Sequence, residues 1–528
     1  MTQRRHRARR LLAVALAGTA MAVTACSSGS SSATSGSTAT GSGEYDRTAA
    51  LTVSVPSPST ILDPALQNNI GQNVYTFLIY DALTQLDADY NVKPMLATAW
   101  TFAPDGSSLD LTLRDDVKFH DGTPFDGAAV KANIERGKSL PGSTIAAQLT
   151  PITAVDVVGP TAVRLMLEPG QGASLPALFA LNAGMMVSPK ALTERASELA
   201  TNPGNAGSGA YLPTKVNPGV EVDFEKAADY WDPDAGFLQG LKIQYSADTA
   251  ARLNGVRTGA LDLAQIAGST PVQEAKALVA QGAIAGDTVP QLSIQGLLFN
   301  SARGDLTKPE VRQAIAHAID KDALVKGLFS GNARPADQFY PEGFWAHSDS
   351  LTNPYPFDAG KAKELVTRAG GAAVTISAAA GSTNQVVAEA VQAQLEAVGI
   401  DATVEMLPQA QIDGAFMAGD LQTQANSVQP QADPAVTVTN YVTSGYKIAA
   451  GDEQVQALSR DAADPRKSEA ERAALYSQIW QVLADDAYWL PILRSEQVWA
   501  KSKGVTNVDT LPWIRSGFPN LRTLAVAG

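Results

Sequence analysis

The sequence predicts an α/β fold with mixed sheets flanked by helices, and three observations carry that prediction. Strand and helix signals alternate from Leu51 onward. One stretch, between Val374 and Met406, reads as a complete strand–helix–strand unit. The composition, 528 residues at 45% hydrophobic and 18% charged, supplies enough apolar side chain for a packed core and enough length for more than one structural unit.

Taken in order, Leu51-Thr52-Val53-Ser54-Val55 alternates with period two, as a half-buried strand does, and Leu109-Asp110-Leu111-Thr112-Leu113 repeats the pattern. A helix is expected after Thr123-Pro124-Phe125, running through Val130 to Arg136. A longer one is expected from Lys308 to Lys326. Thr307-Lys308-Pro309-Glu310 has the capping-box pattern with proline in the first turn, and Val311, Ile315, Ala318, Ile319 and Ala323 line one face. Ser468-Glu469-Ala470-Glu471 opens another helix, with Leu475, Ile479, Val482 and Leu483 on one stripe. In the strand–helix–strand unit, residues 374–377 form the first strand. Asn384 caps a helix bearing Val387, Val391, Leu395 and Val398, which stops at Gly399, and residues 402–406 return as a parallel strand. Ligands on open α/β sheets sit beyond the carboxyl ends of the strands, near helix N-termini. Gly381-Ser382-Thr383-Asn384 occupies that place and makes a polar crevice lip. No internal repeat or heptad run is present, and residues 426–443 show no clear periodicity.

Charge and composition exclude several functions. The chain carries 40 basic and 53 acidic side chains, a net charge of −13, so nucleic acid is not an expected partner. A single cysteine excludes an internal disulfide framework and a multi-cysteine zinc site. His6, His120, His317 and His347 make no ligand-spaced pair, so neither a metal nor another cofactor is expected.

Residues 4–10 read RRHRARR, followed by an apolar run from Leu11 to Val23. That run is shorter than the roughly 20 residues a spanning helix needs, and a basic head with a short apolar stretch is a secretory signal. Val23-Thr24-Ala25-Cys26 resembles a bacterial lipobox, which implies cleavage before Cys26 and lipid attachment to it. Removing residues 1–25 takes away five arginines and no acids, so the net charge moves from −13 to −18. The Ser/Gly/Thr-rich stretch that follows reads as a flexible tether. The expected location is therefore outside the cell, lipid-anchored on the outer face of the cytoplasmic membrane.

Catalytic motifs are missing. There is no phosphate loop and no H-E-x-x-H, and Gly207-Ser208-Gly209 lacks the spacing of a nucleophile elbow. Asp87, Asp89 and Asn91 begin like a calcium loop, but Val92 and Thr98 replace its glycine and closing glutamate. His120 and Asp121 are adjacent, so their side chains point apart, and a structural histidine is expected. The chain is not expected to be an enzyme; a secreted hydrolase is only a remote alternative. Trp100, Trp480 and Trp489 lie in amphipathic contexts and read as core. Tyr340 and Trp345 lie in a Pro/Gly-containing loop and are candidates for lining a cleft.

Residues 111–125, LTLRDDVKFHDGTPF, closely resemble the signature of the extracellular solute-binding proteins of family 5, the oligopeptide, dipeptide and nickel-type receptors of ABC importers. Other blocks match in the family's order. Ile61-Leu62-Asp63-Pro64 precedes a helix ending Tyr80-Asp81-Ala82-Leu83, and Pro94-Met95-Leu96-Ala97 leads into Trp100. Gly207-Ser208-Gly209-Ala210-Tyr211, Asp229-Tyr230-Trp231, Arg252 and Gly259-Ala260-Leu261-Asp262 match the middle. Phe299-Asn300-Ser301 with Val311-Arg312-Gln313-Ala314-Ile315 resembles the family's most recognisable helix.

The resemblance implies a two-lobe, three-domain fold of the periplasmic-binding-protein type II kind. Residues 1–25 would be the signal and 26–45 the tether. Residues 46–80 with 200–295 and 495–528 would form domain I of the first lobe, residues 81–199 its domain II, and residues 296–494 the second lobe. The chain would cross between lobes near residues 295 and 495. A monomer would close on a peptide or peptide-like solute and deliver it to an ABC permease with its ATPase subunits. The alternative cargo is a neutral oligosaccharide, glycoside or other small metabolite.

Peptide-binding members place an aspartate three residues before an Asp-Pro pair. Asp433-Pro434 matches the pair, but Pro430 stands where the carboxylate should be, and Asp413 or Asp420 could supply the charge instead. No arginine occurs at residues 381–384 to grip a peptide carboxylate. By the same resemblance, Gln67, Asn68 and Asn69 would meet ligand from the first lobe, and Ser382, Thr383, Asn384, Gln429 and Asp433 from the second.

Overall fold

The computed structural model describes residues 45–528, so the signal, Cys26 and all but the last residue of the expected tether lie outside the described residues. A sheet of twelve strands runs through the body. At one end Ala50–Val55 pairs in parallel with Gly240–Tyr245 and Leu263–Ile266, and Glu221–Lys226 and Tyr211–Asn217 extend it antiparallel. At the other end Ala373–Ala379 pairs in parallel with Asp401–Leu407 and with Thr423–Val428, which lies antiparallel to Ile294–Phe299. The 13-residue strand Trp489–Lys501 belongs to both ends. Its first residues pair with Ile294–Phe299, and its last pair with Leu263–Ile266 and Ala285–Pro290. A second crossing lies between Pro290 and Ile294, where consecutive strands go to different ends.

A separate antiparallel sheet follows the order Ala97–Phe102, Ser108–Leu113, Ala162–Leu167, Ile152–Gly159. Helix Gly127–Ser139 begins at Asp126, whose carboxylate accepts from Ala129 N, and buries Val130 and Ile134 in the core of this sheet. Its Arg136 reaches Asp63 at 3.0 and 2.5 Å. That ion pair, with Asp63 fully buried and Arg136 half-buried, ties the Leu62-Asp63-Pro64 segment to this domain.

The strand–helix–strand unit forms with its strands in parallel register, Ala373 opposite Asp401 through Ala379 opposite Leu407. Ser468 and Glu471 make both bonds of their capping box ahead of Glu469–Asp485. Trp480 and Trp489 are buried as expected, and Trp100 packs half-buried on the smaller sheet.

Three local expectations are corrected. The helix expected from Lys308 to Lys326 is two helices, Pro309–Ala318 and Lys321–Phe329. Ile319 is extended, and Asp320 accepts from Ala323 N while its own N–H donates to Gln394, so a side-chain cap displaces the continuing helical bond. Thr307 makes no capping box, because its hydroxyl donates to Gly304 O inside a single turn of 3-10 helix. Ser382, not Asn384, caps helix Thr383–Ala397 by accepting from Gln385 N, which leaves the Asn384 side chain available to the sheet.

His120 and Asp121 do point apart. His120 Nε2 donates to Gly209 O at 2.8 Å, and Asp121 accepts from the Ser188 hydroxyl at 2.5 Å. Burial holds the His120 imidazole below its ordinary value, against the opposing pull of Gly209 O, Asp81 and Asp121. The unfolded chain therefore binds this proton more readily, and stability falls as pH drops through the unfolded value of about 6.5. Thermal melts are expected to show a lower Tm at about pH 5 than at pH 7, with a smaller difference in His120→Gln. An equal difference in the two proteins would remove His120 from the account.

Candidate functional site

The carboxyl ends of strands Ala373–Ala379 and Thr423–Val428 open onto a cavity of about 410 Å³. Ser382, Thr383 and Asn384 form one lip, at the N-terminus of the crossover helix. Gln424, Asn426 and Ser427 come from strand Thr423–Val428, and Asp413 from helix Gln409–Ala418. Ala267 and Gly268 face them from the turn after strand Leu263–Ile266. Gln291, Gln295 and Ser495 enter at the two crossings, so the wall draws on both ends of the large sheet.

Amides and hydroxyls dominate this wall. The Ser427 hydroxyl donates to Asn384 Oδ1 at 3.0 Å and accepts from Gln295 Nε2 at 3.3 Å. Ser495 donates to Gln291 Oε1 at 2.9 Å. Gln291 and Gln265 both donate to Gln497 Oε1, at 3.0 and 2.7 Å, which carries the network under the crossings. Gln295 Oε1 and Gln424 Oε1 are buried with no hydrogen-bond partner among the described residues. A buried acceptor left unmade costs about 1–3 kcal/mol, so these oxygens suit a place where a solute brings donors. Among the described residues Asp413 is the only charged side chain on the wall. Its carboxylate accepts from Gln424 Nε2 at 2.7 Å and lies 3.5 Å from Asn426 Nδ2. Beside it Tyr441 and Tyr446 stack with ring centroids 5.1 Å apart. Burial and the Asp413 carboxylate push the Tyr446 phenol well above its ordinary value.

Of the residues singled out in the sequence, this wall brings together Ser382, Thr383 and Asn384 with Asp413, the alternative source of charge. Gln67 is buried and donates to Thr76 Oγ1, while Asn68 and Asn69 are exposed, Asn69 capping a short turn. Gln429 donates its N–H to the Tyr441 hydroxyl, one residue beyond the strand. Asp433 is committed to a buried ion pair with Arg472, at 2.7 and 2.8 Å, so its charge is already neutralised. The loop aromatics are likewise used internally. Tyr340 is fully buried, stacks on Phe344 at 4.2 Å and donates to Gln431 O at 2.8 Å. Trp345 packs on Tyr476 and under the Arg472 guanidinium. Gln424, Asn426, Tyr441 and Tyr446 carried no motif. The one trace in the sequence is the pair of amides Gln424 and Asn426 in a strand otherwise fit for burial.

A larger cavity, about 560 Å³, lies beside the crossings, and the edge of Tyr340 reaches it. Most of its charges are already answered. Arg494 donates to Gln338 O and Phe339 O at 2.7 Å, Arg515 pairs with Asp89, and Glu496 binds Lys276 at 2.6 Å. The smaller cavity, with unanswered acceptors at the strand ends, is the candidate site.

Residues 91–449 match the family described as bacterial extracellular solute-binding proteins, family 5 Middle. The chain belongs to this family. Glutathione-binding protein GsiB of Shigella dysenteriae is 30% identical over 486 residues, 88% of this chain and 92% of that protein. The Escherichia coli K12 protein of the same name matches at the same identity and coverage. Among solved structures, NikA of Brucella suis in complex with Fe(III)-EDTA superposes with a TM-score of 0.79 at 24% identity, covering 90% of this chain and all of that one. DppA of Helicobacter pylori in complex with the peptide STSA gives 0.75 at 22% identity, with 91% and 98% covered. The fold is thus the α/β periplasmic-binding type, and family 5 membership places this solute-binding protein outside the cytoplasm. Among the described residues no helix is long and apolar enough to cross a membrane.

Three of the blocks that mark family 5 membership meet at Asp81. Asp81, fully buried, accepts from Tyr230 at 2.8 Å, Trp231 at 2.8 Å and Ser208 at 3.1 Å, and lies 3.9 Å from Arg522. Three separate sequence blocks therefore meet on one carboxylate. They hold this solute-binding protein together at a distance in sequence from the cavity wall, which explains how the family could be legible while the wall was not.

Proposed function

We propose that this solute-binding protein captures a peptide or peptide-like solute in the 410 Å³ cavity and delivers it to an ABC permease with its ATPase subunits. The observation that carries the reading is a cavity walled from both ends of the large sheet by amides and hydroxyls, two of whose buried oxygens lack partners. Peptide backbones supply N–H donors in the number such a wall needs. The 30% identity to glutathione-binding proteins, whose named ligand is a tripeptide, supports the same class.

In this reading residues 46–80, 200–295 and 495–528 form domain I, residues 81–199 domain II and residues 296–494 the second lobe. The lobes close about the crossings at 290–294 and 494–496, and contact with both drives closure. The chain works as a monomer held at the membrane by lipid on Cys26, and its task needs no chemical turnover.

Native mass spectrometry of residues 27–528 purified from the host, followed by denaturation, is expected to release peptides. Adding the released solute back to emptied protein is expected to reduce the radius of gyration in small-angle scattering. A single sugar or glycoside mass would replace the peptide reading with a polyhydroxyl cargo, which the scarcity of charge on the wall also suits. An unchanged radius under saturating solute would sink closure.

A further inference from the structure

We infer that the 560 Å³ cavity is a second ligand site, separate from the solute cavity, for a small organic anion that carries a carboxylate on an apolar body. The inference goes beyond the receptor reading and does not depend on which solute the other cavity takes.

Strand Trp489–Lys501 separates the two cavities. Ser495 lines the solute cavity, whereas its neighbours Arg494 and Glu496 line the larger one. Successive side chains of a strand point to opposite faces, so the cavities lie on opposite faces of this crossing. Gln291, at the other crossing, touches both. Strand Ala333–Pro335 pairs antiparallel with this strand and sets Arg334 directly opposite Arg494. Two guanidinium groups therefore share the cavity face, an arrangement that like-charge repulsion disfavours until an anion joins them.

The protein supplies these two arginines with little negative charge. Glu496 lies 3.9 Å from Arg334, but its other oxygen binds Lys276 at 2.6 Å, so one carboxylate serves two cations. Arg494 is half-buried, and its hydrogen bonds all end on the backbone oxygens of Leu292, Gln338 and Phe339. Those dipoles hold the guanidinium in place but bring no counter-charge, and burial pulls it below its ordinary value. Three bonds leave two of its five N–H groups for a ligand. Of the other acids on this wall, Asp337 is bound by Lys321 at 2.7 Å, and Glu342 is exposed with no ion pair among the described residues. A carboxylate matches a guanidinium through two parallel hydrogen bonds. Leu292, Pro335 and Pro341 give the same cavity an apolar wall, which suits an organic anion better than a bare inorganic one.

Isothermal titration of the emptied mature chain with three probes tests this: 3-phenylpropionate, its uncharged amide and inorganic phosphate. Phenylpropionate is expected to bind one to one, and the amide and phosphate at least tenfold more weakly. Arg494→Lys keeps the charge and loses the fork, and is expected to weaken phenylpropionate at least tenfold. Should that variant fail to fold, Arg334→Glu reports alone. Its side chain is 76% exposed, so folding is undisturbed, and a loss of at least fivefold is expected. Glu342→Gln, which removes the free acid, is expected to bind phenylpropionate more tightly than the parent. Ser427→Ala, in the solute cavity, is expected to leave phenylpropionate binding unchanged. Each variant is compared only after its unliganded unfolding midpoint matches the parent's. Equal binding of the amide, preference for phosphate, an Arg334→Glu that binds like the parent, a loss in Ser427→Ala as large as in Arg334→Glu, or silence from all three probes would each overturn the second site. None of these results touches the receptor reading, which is decided by the co-purified solute.

Discussion

Asp433→Asn is expected to lower the free energy of unfolding by about 3–5 kcal/mol, the cost of leaving a buried guanidinium without its counter-charge. Arg472 Nη2 lies 2.7 and 2.8 Å from the two Asp433 oxygens, and the side chains are 8% and 6% exposed. The rest of the guanidinium cannot turn elsewhere. Its Nε donates to Ala462 O at 2.8 Å, and Trp345 and Tyr476 lie 5.3 and 5.8 Å away on their ring centroids. Asparagine keeps an oxygen for the cap on Ala435 N, so the substitution isolates charge from capping. Urea unfolding is expected to show a lower midpoint at unchanged slope. The double variant Asp433→Asn/Arg472→Met is expected to recover most of the loss, because an apolar pair of similar volume needs no desolvation. Solute affinity of the folded single variant is expected to match the parent, since Asp433 is absent from the cavity wall. A tenfold affinity loss at full folding would return Asp433 to the solute.

Gly207→Ala is the second large effect, expected to cost about 3 kcal/mol, the upper end of ordinary overpacking. A Cβ on Gly207 would stand 1.9 Å from Ile79 O, and one on Gly209 2.3 Å from Leu78 O. Both obstacles are backbone atoms at the end of helix Asn73–Ile79, so no rotamer change relieves them. The close approach is also what lets Gly209 N donate to Ile79 O at 2.9 Å. Gly327→Ala is the internal control. It lies inside helix Lys321–Phe329 with open space around its Cβ, and alanine there is expected to stabilise by about 0.5–1 kcal/mol. Opposite signs from the same added methyl group would show that local space decides; two losses of similar size would sink the steric account.

These residues also show why some features were legible and others were not. The strands at 50–55 and 108–113 announce themselves because each alternates with the period of a pleated, half-buried surface. The capping box at Ser468 is local chemistry between residues three apart, and it formed. The helix from Lys308 was read too long because Asp320 bonds to Gln394, 74 residues away, and no window around Asp320 contains that partner. The surroundings of Tyr340 and Trp345 are equally remote in sequence: Tyr340 lines the larger cavity, while the two rings pack against Trp480 and Tyr476 from a helix more than a hundred residues later. Asp433 matched a familiar dipeptide, yet its partner Arg472 lies 39 residues on and only the folded chain brings them together.

What the sequence by itself determined is the family, the α/β character and the crevice lip at Ser382, Thr383 and Asn384. Each rests on short-range information: ordered blocks, hydrophobic period, and a turn between strand and helix. What only the tertiary structure decided is the rest of the wall. Gln291, Gln295, Gln424 and Ser495 come from three segments far apart in sequence, and each is an ordinary polar residue in its own neighbourhood. Their meaning arises from convergence on one cavity, where burial removes water as a partner and, among the described residues, leaves two amide oxygens unanswered.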